Sequence, residues 1–297
     1  MSGLKTSAII PFVHTYLDCF PCILRQSLEA ARMAGASEPQ ARMIMLRAMK
    51  ILANLPEEAT PPEISADVHQ MVRESTGHED PYREVKQAAT EKALAMLPRL
   101  RMLVDQSNNP LDTALRLSIA GNIIDFGPNP EYDLWNEVER VLSQDFAVDD
   151  TDLLRTCLGR VGRVLYLADN AGETVFDRLL IEVLDKPVTY VVRGGPVLND
   201  ATMADAQAAG INQVARVIDN GAHAAGTILS HCSQDFQMEF EQAELILAKG
   251  MGNYETLSES SAPIFFLFQV KCPIVGRHIG AQPGGAVVKK AVRFPNN

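Results

Sequence analysis

The sequence has no long hydrophobic run. Its longest apolar stretch, residues 264–270, is interrupted by Gln269 and is far shorter than the roughly 20 residues that a membrane-spanning helix needs. The chain also shows no cationic start followed by an apolar segment, so we expect no secretory signal. These features predict a cytoplasmic protein with no membrane partner.

Basic charge and cysteine pairs are also scarce. The 297 residues carry 27 Lys and Arg against 37 Asp and Glu, giving a net charge of -10, whereas a nucleic-acid-binding protein usually presents a basic face. Five cysteines, an odd number scattered over a long chain, indicate reduced thiols and not a disulfide framework. We therefore expect no nucleic-acid partner.

Apolar residues, at 46% of the chain, are sufficient for a large core. In the first half they recur at helical spacing, which predicts helices at 21–34, 38–52, 62–74, 81–97, 111–120 and 131–142. After residue 161, short apolar runs alternate with helical stretches and predict strands at 164–168, 188–192, 214–218, 245–248 and 264–270. This pattern predicts a parallel, helix-flanked sheet preceded by a helical region.

Polar residues follow several of the predicted strands. In "LYLADNAGETVFD", Asp169 and Asn170 end a strand directly before a helix start. Because ligands of open α/β sheets bind beyond the carboxyl ends of the strands, these positions are candidates for a site. The later strands are followed by further glycines, oxygen donors and cations: Arg193, Gly194, Gly195, Asn199, Asp200, Asp219, Asn220, Lys249, Gly250, Gly252, Asn253, Glu255 and Lys271.

These residue types together suit phosphoryl transfer or hydrolysis. Carboxylate and amide oxygens, such as those of Asp169 and Asn170, suit a hard divalent ion. Glycines let backbone N–H groups approach an anion, and Lys249 supplies a point charge for a phosphate. Taken singly, Asp169 and Asn170 are equally typical of a helix cap and turn, and Lys249 of an ordinary loop residue.

Two further clusters have open interpretations. Asn122 and Asp125 in "GNIIDFG" share a face if they form a helical turn, and they either cap the preceding helix or reach into the site. Cys19 and Cys22 form a Cys-x-x-Cys motif, which suggests redox chemistry or half of a zinc site. Because no second cysteine pair exists, thiols packed at a helix start are the favoured interpretation.

The assembled motifs resemble the DUF89 family of metal-dependent damage-control phosphatases, also called the ARMT1-like metal-binding domain. The resemblance covers nearly the whole chain, and its N-terminal Cys-x-x-Cys start is similar to the prokaryotic-type branch. One block departs from the family pattern, since His223 in "NGAHAAGT" stands where relatives often have an acid. The matching blocks occur in family order: "DCFPCILRQSLEAAR", "GNIIDFG", "LADNAGETVFD", "RGGPVLNDAT", "AKGMGNYETL" and "KCPIVG".

The resemblance implies an α/β fold: an all-helical domain at 1–155, followed by a three-layer α/β/α domain with a mostly parallel sheet at 156–297. It implies that Asp169, Asn170 and Asp200 hold Mn²⁺, Co²⁺, Ni²⁺ or Mg²⁺, and that Lys249 contacts the substrate phosphate with Asn122 and Asp125 nearby. The implied substrate is a small phosphorylated metabolite, such as a sugar phosphate or a damaged metabolite.

Our hypothesis for the mechanism is metal-dependent hydrolysis by in-line attack of water. In it, Asp169 is central, Asp125 or Glu173 serves as the base, and Lys249, Asn122, Asn253 and the N–H groups of Gly194 and Gly195 contact the substrate or its phosphate. An aspartyl-phosphate enzyme is disfavoured, because Ala171 stands where its second Asp is expected. An S-adenosylmethionine-dependent carboxyl methyltransferase and a non-catalytic metal- or nucleotide-sensing module are the remaining alternatives.

Overall fold

The protein is described by a computed structural model over residues 13–121 and 134–294. Within these ranges the chain forms helices α1 Cys19–Met33, α2 Glu38–Leu52, α3 Pro61–Thr76, α4 Arg83–Asp105, α5 Pro110–Ala120, α6 Leu134–Ser143, α7 Thr151–Leu158, α8 Thr174–Leu184, α9 Met203–Ala208, α10 Gln234–Glu241, α11 Gly250–Leu257 and α12 Pro273–Ile279. Short 3-10 turns lie at Ile211–Gln213 and Leu229–His231. No helix in the described ranges combines the length and the hydropathy needed to cross a bilayer.

A seven-stranded sheet forms the centre of the molecule. Its strands are β1 Val148–Asp149, β2 Val164–Leu167, β3 Val188–Val192, β4 Arg216–Asp219, β5 Ile246–Lys249, β6 Ile264–Gln269 and β7 Ala286–Lys290. They lie in the order β1-β7-β6-β5-β2-β3-β4. Every neighbouring pair is parallel except β6 and β7, which are antiparallel.

Helices cover both faces of this sheet. Alternate strand residues point to opposite faces, so Tyr166 and Tyr190 pack with α4, α5 and α8, whereas Leu165 and Val191 pack with α10 and α11. Burial on both faces explains why the strand runs are apolar at consecutive positions. The predicted α/β architecture, with its mostly parallel sheet and N-terminal helical region, is confirmed.

The helices α1, α2 and α3 form a separate small cluster around Ile23, Ile44 and Val68. Both α2 and α3 begin with a capping box and a proline in the first turn, which satisfies their first backbone N–H groups. This three-helix layer meets the rest of the protein beside the carboxyl ends of the strands, where Ile274 of α12 joins its apolar cluster.

One helix extends beyond its predicted end. We expected α4 to stop at residue 97, before Pro98, but it continues to Asp105 with Pro98 inside it. A proline inside a helix costs about 3 kcal/mol, because it removes a backbone hydrogen bond and crowds the preceding turn. Leu100 and Val104 lie beyond the proline and are buried in the main core, and their burial offsets that cost.

The main core crosses the predicted boundary between residues 155 and 156. Leu100 of α4 and Leu115 of α5 share one apolar cluster with Tyr166 and Leu247 of the sheet. Strand β1 also precedes that boundary and pairs with β7. The two-domain division stays a prediction, and we return to a test of it below.

Candidate metal and substrate site

Two chain segments place three oxygen-bearing side chains side by side. Asp169 and Asn170 follow β2, and Asp200 lies in the loop after β3. An isolated antiparallel bridge pairs Asn170 with Asp200. Backbone hydrogen bonds flank it: the Ala171 N–H donates to Asn199 O at 2.9 Å, and the Ala201 N–H donates to Asp169 O at 2.8 Å. The backbone itself therefore brings these three predicted metal ligands together.

The amide of Asn170 is oriented by its neighbours. Its Nδ2 donates to Asp169 Oδ2 at 3.1 Å and to Glu173 Oε1 at 2.6 Å. Both bonds use the nitrogen, and no described residue donates to Asn170 Oδ1. The oxygen of this amide is thus left for another partner, and an amide oxygen is a suitable ligand for a hard cation.

Negative charge is concentrated at this position. Burial, together with the nearby carboxylate of Asp200, raises the pKa of Asp169 to about 6 against the opposing effect of Arg193. Burial also raises the pKa of Asp200. Two adjacent, poorly solvated carboxylates repel each other, and a divalent cation would relieve that repulsion. The donor set therefore fits a divalent metal ion.

The three candidate metal ligands are the carboxylates of Asp169 and Asp200 and the amide of Asn170. Within the described part of the chain, no three His, Cys, Asp or Glu side chains are arranged to hold a metal ion. All-oxygen ligands of this kind favour Mg²⁺ or Mn²⁺ over ions that prefer thiolate, but they admit several first-row metals.

Arg193 holds Asp200 in place. This arginine is only 2% exposed, and its Nε donates to Asp200 Oδ2 at 2.7 Å. Its Nη1 lies 3.4 Å from Thr227 Oγ1, which in turn donates to Asn253 Oδ1 at 2.8 Å. The sequence showed Arg193 at a strand end but gave no reason to assign it a role, because its partner Asp200 is seven residues away across a loop.

Lys249 lies beneath the site in a buried ionic network. Its Nζ donates to Ser118 O at 2.8 Å, to Glu173 Oε2 at 3.0 Å and to Asp177 Oδ1 at 2.7 Å. Burial alone would lower the pKa of Lys249, but the carboxylates of Asp177 and Glu173 outweigh it and raise that pKa. All three ammonium protons are used within the protein.

The carboxylate of Asp177 is the centre of this network. Besides Lys249, it accepts hydrogen bonds from Ser118 at 2.9 Å and from the hydroxyls of Tyr166 and Tyr190 at 2.8 Å each. Sequence reasoning missed Asp177, because a helical Asp has no strand-end signal. Burial raises the pKa of Glu173, the other partner of Lys249, to about 7.

A cavity of about 310 Å³ opens above the three oxygen-bearing residues. Asp169, Asn170 and Asp200 line one side of it, and residues of α1 and α3 line the other. Lys271 and Glu255 also line its wall, and burial raises the pKa of Glu255 to about 8. The cavity therefore lies between the α1–α3 layer and the edge of the sheet.

The remaining predicted contacts lie elsewhere or outside the described residues. Gly194 and Gly195 line a different cavity of about 690 Å³, and the Gly194 N–H donates to Ala222 O and Asn220 Oδ1. Asn253 is buried and its Nδ2 donates to the carbonyls of Ala168 and Lys249. Asn122 and Asp125 fall outside the described residues. The substrate and phosphate roles of all these residues stay predictions.

Three thiols line the 310 Å³ cavity. Cys19 and Cys22 come from α1 and Cys272 precedes α12, and all are free. Cys19 belongs to the apolar cluster of the α1–α3 layer, and burial raises the pKa of its thiol to about 11. A thiol of this kind is protonated at neutral pH. The interpretation of the Cys19 and Cys22 pair as packed thiols stays a prediction.

Comparison with known proteins decides the family. The profile of the damage-control phosphatase ARMT1-like domain matches residues 15–287. The chain belongs to this family. An uncharacterized protein of Methanocaldococcus jannaschii is 35% identical over 286 residues, which cover 92% of this chain and 94% of that protein.

Two further archaeal relatives carry a functional name. A protein of Archaeoglobus fulgidus named damage-control phosphatase is 35% identical over 281 residues, covering 91% of this chain and 97% of that protein. A protein of Pyrococcus horikoshii with the same kind of name is 35% identical over 287 residues, covering 93% and 98%. The crystal structure of a DUF89 family protein from that organism matches this fold with a TM-score of 0.83 at 33% identity, over 93% of this chain and 99% of that one.

Proposed function

We propose that this protein hydrolyses small phosphomonoesters with a divalent ion, Mn²⁺, Co²⁺, Ni²⁺ or Mg²⁺, held by Asp169, Asn170 and Asp200. The observation that carries the proposal is the bridge between Asn170 and Asp200. It brings two carboxylates whose pKa values are raised by burial to one cavity wall, beside an amide oxygen to which no described residue donates. The names of the relatives support phosphatase chemistry. The substrate would be a small phosphorylated metabolite, such as a sugar phosphate or a damaged metabolite.

The residues around the ion have distinct tasks. When bound, a divalent ion offsets negative charge on the phosphoryl group during transfer. Glu173 holds the amide nitrogen of Asn170, so that its oxygen remains available to the ion. Arg193 fixes the carboxylate of Asp200 through a buried ion pair. These contacts set the ligands in place before substrate arrives, which is what electrostatic catalysis needs.

The phosphate must also meet cationic groups and N–H donors of the protein. Lys271 is exposed on the cavity wall and close enough to lower the pKa of Asp169, so it can meet a phosphate without rearrangement. Lys249 can do so only by exchanging one of its three protein acceptors. Its role in this proposal is therefore first to hold Glu173 and Asp177.

A base is needed to take a proton from the attacking water. Asp125 and Glu173 are the candidates, and only Glu173 lies among the described residues. Its pKa of about 7 suits proton exchange near neutral pH, and its contact with Asn170 places it next to the ion site. Glu173 is only 1% exposed, so water must reach it from the cavity past Asn170.

The test is a phosphatase panel with each metal added in turn to chelator-treated protein. We expect metal-dependent phosphate release from the wild type. Asp169→Asn should lower kcat by about a hundredfold or more, since the contribution of a metal is several kcal/mol and 1.36 kcal/mol is tenfold in rate. The same variant should lose the rise in Tm that added metal gives the wild type.

Asp219→Asn is the matched control. Asp219 ends β4 at the same edge of the sheet but is exposed and does not line the cavity. Its substitution should leave activity and the metal-induced Tm shift unchanged. Full activity of Asp169→Asn would refute the proposal, and metal binding without phosphate release across the panel would favour a non-catalytic binding module.

A further inference from the structure

Three cysteine side chains line the 310 Å³ cavity, and the proposed function uses none of them. Cys19 and Cys22 lie at the start of α1, and Cys272 lies between β6 and α12, directly after Lys271. All three are free thiols. The cavity is therefore lined by oxidisable groups from two segments that are far apart in the sequence.

Cys19 and Cys272 belong to the same apolar cluster. Cys19 is buried in the core of the α1–α3 layer, and Cys272 packs against that core from the segment before α12. Burial is the main cause of the raised pKa of Cys19, and the charge of Cys272 contributes more to it than the charge of Cys22 does. Cys19 therefore interacts more strongly with Cys272 than with the other cysteine of its own motif.

The other combinations of these thiols fit the structure less well. Residues three apart on a helix have Cβ atoms about 5–6 Å apart, whereas a disulfide needs about 3.5–4.5 Å, so a bridge within the motif would distort the start of α1. Cys22 also has a different neighbour, because the guanidinium of Arg25 donates to its Sγ at 3.8 Å. A shared metal would need three suitably placed ligands, and no three His, Cys, Asp or Glu side chains in the described ranges are so placed.

We propose that Cys19 and Cys272 form a reversible disulfide that switches off the candidate active site under oxidising conditions. The loss of activity rests on the proposed function, whereas the formation of the disulfide does not. Disulfides in reducing compartments are usually transient and often sense the redox state. A bridge that forms only on oxidation suits a chain whose five cysteines are all free.

The oxidation consumes one molecule of a peroxide. The peroxide oxidises the thiol of Cys272, which is half-buried and lines the cavity, to a sulfenic acid and is itself reduced, releasing water in the case of hydrogen peroxide. The thiol of Cys19 then attacks this sulfur. An S–S bond forms, the S–O bond breaks, and the thiol proton leaves with the hydroxyl group as water. Each sulfur loses one electron, and the peroxide gains two.

The bridge acts on the cavity through Lys271. This lysine directly precedes Cys272 and lines the cavity wall, where it can meet the phosphate in the proposed function. A disulfide holds its sulfurs about 2.05 Å apart, closer than two unbonded thiols approach, so oxidation draws the segment that contains Lys271 toward α1. The cation then leaves its place beside Asp169, and the reaction loses a group that holds the phosphate.

The test exposes the full-length protein to hydrogen peroxide, which is removed before assay, and then to dithiothreitol. Because residues 19 and 272 are far apart in the sequence, their disulfide constrains the denatured chain. We expect a faster-migrating monomer band on a non-reducing denaturing gel, and dithiothreitol should abolish it. Metal-dependent phosphatase activity should fall by about tenfold or more as the band appears, since misplacing a group by about 1 Å can cost about a hundredfold. Dithiothreitol should restore the activity.

Four single variants identify the bridge. Cys272→Ala and Cys19→Ala should each lack the faster band and keep their own activity after peroxide treatment, and either serves should the other fold poorly. Cys157→Ala is the matched control, because Cys157 is also free and half-buried but lines a different cavity of about 360 Å³. Cys157→Ala and Cys22→Ala should respond to peroxide as the wild type does. Each variant is compared with itself before and after oxidation, so its basal activity does not enter the result.

The outcomes separate this inference from the proposed function. Absence of the faster band in the oxidised wild type, its persistence in Cys272→Ala or Cys19→Ala, or its loss in Cys22→Ala would overturn the inference. A faster band without loss of activity would overturn the switch. Absence of phosphate release from the reduced wild type, with any of the metals, would refute the proposed function and with it the control of activity, while the gel still decides whether the disulfide forms.

Discussion

At the scale of single residues, Gly250 decides how closely α11 approaches the candidate metal site. Its φ is +79°, in the left-handed region, and a Cβ at this position would overlap the carboxylate of Asp169. Gly250 is the first residue of α11 and directly follows Lys249. Only glycine meets both requirements here, the backbone angle and the lack of a side chain.

We predict that Gly250→Ala damages the site and that Gly280→Ala does not. Both glycines have φ near +75°, but a Cβ at Gly280 would meet nothing within 4 Å. Each variant should lose about 1–2 kcal/mol of stability through left-handed strain. Only Gly250→Ala should also lose the metal-induced rise in Tm and the phosphatase activity, because it displaces Asp169. Equal metal responses in the two variants would show that Asp169 does not depend on this close contact.

The sequence predicted some residues of the candidate site and not others, for a physical reason. Asp169 and Asn170 directly follow β2, and Asp200 lies in the loop after the neighbouring parallel strand β3, so the pattern places all three at one edge of the sheet. The positions of the α1 and α3 side chains that line the cavity, such as Ile23 and Pro62, depend on how the α1–α3 layer packs onto that edge. Helical periodicity indicates which face of a helix is buried but not what it faces.

At the scale of secondary-structure elements, α3 contains a buried histidine whose lowered pKa makes the stability of the protein depend on pH. His69 is 3% exposed, its Nε2 has no hydrogen-bond partner, and its ring lies edge-on to Tyr82 at 6.0 Å. Burial, with a smaller contribution from Arg73, lowers the pKa of His69 to about 4. The folded protein therefore keeps this ring neutral well below the usual pKa of histidine.

We predict that His69 makes the protein less stable in acid. Between its unfolded pKa of 6.5 and its folded pKa of about 4, the unfolded chain binds a proton that the folded chain does not. Stability is therefore lost as pH falls through this window, by about 3 kcal/mol at its lower end, at 1.36 kcal/mol per pKa unit.

The predicted effect of His69 on acid stability is tested by denaturant unfolding of the wild type and His69→Phe at several pH values. The stability difference between them should grow in favour of the variant as pH falls from 6.5 to 4. His78→Phe, the same substitution at an exposed position close by in the sequence, is the matched control variant. If the difference in unfolding free energy between His69→Phe and the wild type did not change with pH, the imidazole would have the same pKa in the folded protein as in the unfolded chain, and the prediction would be wrong.

The elements differ in how well the sequence predicted them. The strands β2, β3, β5 and β6 were predicted to within two residues, because strands buried on both faces are strongly apolar. The prediction missed β1 and β7. Strand β1 has two residues and β7 ends in two lysines, so both are strands because a neighbouring strand pairs with them and not because of their own composition.

At the scale of the whole molecule, one apolar core joins the two halves of the chain. Helices α4 and α5 come from the first half and cover one face of a sheet formed mainly by the second. A buried ion pair adds to this connection, since Lys86 of α4 contacts Asp80 at 2.9 Å and Asp205 of α9 at 3.1 Å. The α1–α3 layer, by contrast, has its own small core.

We predict that residues 156–297 do not fold alone and that residues 79–297 do. The shorter fragment lacks α4 and α5, so that part of one sheet face and the side of α8 that packs against these helices would be exposed to water. The longer fragment keeps the main core and loses only the separate α1–α3 cluster. Thermal unfolding followed by circular dichroism distinguishes them, and a cooperative transition in 156–297 would instead support the domain boundary predicted from the sequence.

The bridge between Asn170 and Asp200 has a consequence for divergence within the family. The backbone that fixes the three ion-binding candidates belongs entirely to the sheet edge, while the facing wall belongs to α1 and α3. Mutations can therefore accumulate in α1 and α3 without altering the inherited geometry of the charged edge. Under the proposed function, the preference for one substrate over another could therefore change through substitutions on a single side of the cavity.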